Sequence, residues 1–64
     1  MDIWSEILSR QPERIRRTFQ NLNREEKITV RAHLIRMTTE SGWHEAQIAS
    51  AQIALDALKD VPDL

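Results

Sequence analysis

His33 and His44 are the only imidazoles in the chain, and no cysteine accompanies them. Thiolate ligands and disulfides are therefore excluded, and a metal would have to rest on imidazole and carboxylate alone. The spacing does not favour that. Neither His-x3-His nor Glu-x2-His occurs, and Glu40, on the helix face of His33, is two turns away from it. The four serines (Ser5, Ser9, Ser41 and Ser50) stand at helix ends or on helix faces, with no nucleophile-elbow pattern around them. Gly42 is the single glycine, and a phosphate-cradling loop needs several so that backbone can approach the ligand.

The carboxylates have helical explanations. Glu25 and Glu26 suit the first turn of a helix, and Glu6–Arg10 and Glu13–Arg17 stand in i, i+4 order. These residues predict no enzyme, no cofactor and no metal.

The basic residues form a more suggestive pattern. The chain's formal charge is −1, yet the span 10–36 holds eight bases and three acids, a balance of +5. Residues 1–9 carry −2 and residues 37–64 carry −4. Arg24, Lys27 and Arg31 fall at i, i+3, i+7 on one helical stripe, and with Arg14 they make a candidate partner-binding patch. Such a stripe could meet an acidic protein, or phosphates in a small nucleic-acid-binding regulator. Against the latter, the isoelectric point is about 6.1, and a helix-turn-helix centred on Gly42 would send an Ala-rich, acidic helix towards the groove. A basic face that is solvated or paired within the chain is the leading expectation, and an acidic protein partner comes before nucleic acid.

Helices must position all of these groups. No segment alternates polar and apolar residues, and Gly and Pro are scarce. The first helix is expected over about 3–10, with Asp2 as N-cap and Ile3, Trp4, Ile7 and Leu8 on one stripe. Gln11 precedes proline and is pushed out of the α region, which stops it. Pro12 opens a second helix over about 12–22, burying Ile15, Phe19 and Leu22. Asn23 and Glu26 make a capping box for a third, over about 24–41, ended by a left-handed Gly42. The fourth spans about 44–59, and the tail 60–64 is expected to fray. Trp4 reads as core; Trp43, just past the glycine, is expected to fold back on Met37.

The third helix is apolar on two opposed sides: Ile28, Ala32 and Ile35 on one, Val30, Leu34 and Met37 on the other. The fourth repeats this, with Ile48, Ala51, Leu55 and Leu58 on one stripe and Ala46, Ile53 and Ala57 on another. A 64-residue chain has little material to cover both sides, and oligomerisation is a common support for domains this small. The fold class that follows is all-α, a small three- to four-helix bundle with long helices 3 and 4 antiparallel, completed by a symmetric homodimer. The interface is assigned to Val30, Leu34, Met37, Ala46, Ile53 and Ala57. The expected role is a non-enzymatic interaction or regulatory module. No apolar run is long enough for a membrane span, and Met1-Asp2-Ile3-Trp4 lacks the basic start of a signal peptide, so the expected setting is the cytoplasm.

Overall fold

Three of the four helices begin where a neighbouring side chain serves an unpaired N–H at the helix start. In the computed structural model, which describes residues 2–62, they are α1 Ile3–Ile7, α2 Pro12–Gln20, α3 Arg24–Thr39 and α4 Glu45–Leu58. The Asp2 carboxylate accepts from the Trp4 N–H at 3.0 Å. At α3 the capping box is complete: Glu26 N–H donates to Asn23 Oδ1 at 2.8 Å, and Glu26 Oε1 accepts from the Asn23 N–H at 3.0 Å. Gln47 Oε1 likewise accepts from the His44 N–H at 3.0 Å. In α2 the proline at N1 has no N–H to satisfy.

The helices are shorter than periodicity suggests. α1 ends at Ile7, with Leu8 as its cap, so Arg10 lies outside it and takes a left-handed backbone at φ 65°. The apolar stripe that continues through Leu8 hides this early stop. α3 ends at Thr39, capped by Glu40, and Gly42 follows at φ 98°. That positive φ is the conformation a residue with a Cβ resists, and it sits where the chain turns back into α4. Of the tail, Val61 is half-buried and its N–H donates to the Leu58 carbonyl at 3.0 Å; residues 63–64 lie outside the described residues.

α4 is the central element. It packs against both α3 and α2, and α1 packs against α2. Ile7, Ile15, Phe19, Val30, Leu34, Met37, Ala51, Ala54, Ala57 and Leu58 form one core cluster. Ser50, Ala51, Ala54, Ala57 and Leu58 make a single buried stripe on α4, lying between the two stripes expected and drawing on both. Small residues there let the neighbouring helices approach closely.

One copy therefore encloses its own core. The Cα radius of gyration is 10.8 Å, close to the value of about 11 Å expected for a compact chain of this length. A second copy is not needed to complete the bundle, because α1 and α2, though short, supply Ile7, Ile15 and Phe19 to one side of it. No helix among the described residues is long and apolar enough to cross a membrane.

Candidate functional site

The apolar faces of α3 exchange the roles assigned to them. Val30, Leu34 and Met37 are buried in the chain's own core, and so is Ala57 of α4. These four cannot offer side chains to a second copy, and their assignment to an interface is corrected on that ground. Ile53 is half-buried against the same core and Ala46 is exposed in the first turn of α4. What stays open is the opposite side of α3. Ile28 is 47% exposed and Ile35 46%, with exposed Ala32 between them and exposed Thr39 one turn beyond. Isolated exposed apolar residues are ordinary, but here three line up on consecutive turns of one helix.

The basic patch is only half available. Arg14 grips Glu6 with a two-pronged contact, Nε to Oε2 at 2.8 Å and Nη2 to Oε1 at 2.6 Å. The Glu6–Arg10 pairing expected along α1 does not form, because α1 stops before Arg10 and that residue turns away. The Arg14 hydrogen bond, with smaller help from the charges of Arg14 and Arg17, holds the Glu6 carboxyl below its ordinary range against a modest opposing desolvation. The Arg14 guanidinium is raised in turn by the same contact. Arg31 donates to the carbonyls of Leu58 at 3.3 Å and Val61 at 2.5 Å, and its guanidinium lies 5.1 Å from the Phe19 ring centroid. It satisfies the open carbonyl end of α4 and gains from the ring face. Arg24 is exposed and Lys27 half-buried, leaving a two-residue remnant of the four-residue patch.

Sequence reasoning missed three contacts that tie the elements together. Arg10 reaches Ser50 and the Ala46 carbonyl on α4, and Arg31 reaches the end of α4. His33 stands between two indoles, its ring centroid 4.8 Å from that of Trp4 and 5.6 Å from that of Trp43, the latter edge-on. The glycine after α3 does signal that Trp43 folds back. Nothing in the spacing signals that an imidazole on α3 receives it.

Two open clefts of about 300 Å³ each mark the surface. One lies between α1 and α3, lined by Ile3, Trp4, Glu25, Glu26, Thr29 and Val30. The other lies on the outer side of α2, lined by Glu13, Arg16, Arg17 and Gln20. The first carries the Thr29 hydroxyl and the Glu25 and Glu26 carboxylates on its α3 wall, and the second carries charged and amide side chains without a hydroxyl. Among the described residues no group of three or more His, Asp or Glu side chains gathers as a metal would require.

Compared with protein-family models, with curated proteins and with solved structures, the chain matches none.

Proposed function

We propose that this chain is a non-enzymatic interaction module, working in the cytoplasm as a homodimer that pairs through the outer face of α3. The observation that carries the reading is the exposure of Ile28 and Ile35, at 47% and 46%, on the side of a long helix that faces away from the core. A surface helix normally keeps that side polar. Burying each isoleucine would gain on the order of 1 kcal/mol, at about 25 cal/mol per Å² of apolar surface. The absence of cysteine is compatible with the proposed compartment.

Sedimentation equilibrium tests this, run from about 10 μM to about 1 mM because the face is small and the association weak. The expected result is a rise from 7.5 kDa towards twice that mass. An Ile28→Ser/Ile35→Ser variant should remain at the lower mass with its helicity intact, since neither residue belongs to the core.

A further inference from the structure

Resting on the homodimer reading above, we infer that the two α3 helices lie antiparallel, with Ile28 of each copy against Ile35 of the other and Glu25 facing Arg36 across the pair. The charges along the outer face select this arrangement. At 3.6 residues per turn, Ile28, Ala32, Ile35 and Thr39 form one line, and Glu25 and Arg36 stand on the same edge of it, near opposite ends of the helix. All six residues are exposed, and the contact Arg36 already makes along its own helix, Nε to Glu40 Oε2 at 3.4 Å, is long and open to solvent.

Two antiparallel helices related by a two-fold axis bring like edge to like edge. Setting position 28 against position 35 of the second copy puts the axis between positions 31 and 32. Glu25 then lies only about 3 Å along the helix from Arg36 of the second copy, at 1.5 Å per residue, within reach of both long side chains. Symmetry makes the contact twice. Arg31, near the axis on the other edge, is drawn away from it by the Leu58 and Val61 carbonyls.

A parallel pair fares worse. It would lay like ends of two helix dipoles side by side, and although Glu25 would face Arg24 and Lys27 of the other copy, Arg36 would be turned towards that same basic edge with no acid to meet it. The exposed length of a 16-residue helix is about 24 Å, so the buried face falls short of the roughly 800 Å² per partner of a standard interface. Association is weak, and edge charges weigh heavily in it.

Two sets of variants read the register. Glu25→Arg alone and Arg36→Glu alone each place like charges opposite one another and should weaken association on the order of tenfold. An equimolar mixture of the two should recover it, because one chain then presents only bases along that edge and the other only acids. With no native cysteine, introduced thiols report position. Thr39→Cys chains alone should resist a short bis-maleimide, the two sites lying about 22 Å apart along the axis; mixed with Arg24→Cys chains they should be bridged. Far-UV circular dichroism on each variant separates lost helix from lost pairing. A chain that stays at 7.5 kDa up to about 1 mM overturns the homodimer and the register together. A dimer that Thr39→Cys bridges by itself, or that ignores both charge reversals, overturns the register and leaves the homodimer standing.

Discussion

Arg10 and Ser50 are joined across 40 residues of sequence, the guanidinium Nε donating to the serine hydroxyl at 2.9 Å. Ser50 is the buried polar residue of the described core, so this bond satisfies a hydroxyl that burial would otherwise leave at a cost. The same guanidinium donates from Nη2 to the Ala46 carbonyl at 3.0 Å. Together the two bonds fasten the α1–α2 turn to α4.

Arg10 makes them from a left-handed backbone, φ 65°, which costs a residue with a Cβ about 1 kcal/mol. Arg10→Ala loses both bonds and keeps the strain, so it should lower stability to urea by about 1–2 kcal/mol. Arg10→Gly loses the bonds but sheds the strain, and should therefore be the more stable of the two by about 1 kcal/mol. Equal midpoints for both variants would show that the turn holds no strain.

The local chemistry of this chain was readable in its order of residues. Asp2, Pro12, and Asn23 with Glu26 each mark a helix start that the structure forms, because caps depend on groups within three or four residues of each other; Gly42 takes its left-handed φ of 98° but stands beyond the extended Glu40 that caps α3. Two apolar sides on α3 were readable too. Which one faces inward was not, since Ile28, Ala32 and Ile35 differ little in apolarity from Val30, Leu34 and Met37. That choice depends on where α1, α2 and α4 lie, and on the long-range contacts of Arg10, Arg31 and His33. How much of the basic patch is taken up within the chain was unreadable for the same reason: whether an arginine is available is decided by carbonyls and carboxylates far along the chain.

Arg31 gathers a helix end and an aromatic face into one contact. Its donors reach the carbonyls of Leu58 and Val61 while the guanidinium plane covers Phe19. A lysine at this position has a single ammonium and cannot span both carbonyls while stacking on the ring. Arg31→Lys should cost about 1–2 kcal/mol of stability, and Arg31→Ala somewhat more. Amide exchange provides the local readout, with faster exchange expected at Val61, whose N–H bonds the Leu58 carbonyl at 3.0 Å. Unchanged exchange there would show that Arg31 does not hold the end of α4.

Glu6 carries a pH dependence whose sign follows from its contact with Arg14. Its carboxyl is lowered in the folded chain, chiefly by the Arg14 hydrogen bond. The stabilisation is therefore fully present above the unfolded carboxyl value of about 4.3 and is lost as pH falls through the lower folded value. Both partners are open to solvent, with side-chain exposures of 47% for Arg14 and 22% for Glu6, so the effect is small and salt weakens it. Glu6→Gln should lower the urea midpoint slightly at pH about 7 and leave it level with the parent at pH about 2, where the parent carboxylate is protonated. A constant gap across that range would assign the loss to packing and not to charge.

Three aromatic rings join elements that the helical hydrogen bonds leave separate. Trp4 stands on α1, His33 on α3, and Trp43 on the connection into α4, with His33 between the indoles at 4.8 and 5.6 Å. Tilted and edge-on ring pairs of this kind contribute about 0.5–1.5 kcal/mol each beyond the area they bury. Removing the middle ring loses both pairs together, whereas removing an outer indole loses one pair and the apolar area it packs against the core. His33→Ala is expected to destabilise the chain by about 1–2 kcal/mol and to flatten the near-ultraviolet circular dichroism of the two tryptophans while the far-ultraviolet helical signal persists. His33→Phe keeps a ring in place and should retain most of both. If the alanine variant preserved the near-ultraviolet spectrum, the indoles would owe their order to the helices beneath them, and the histidine would be a bystander.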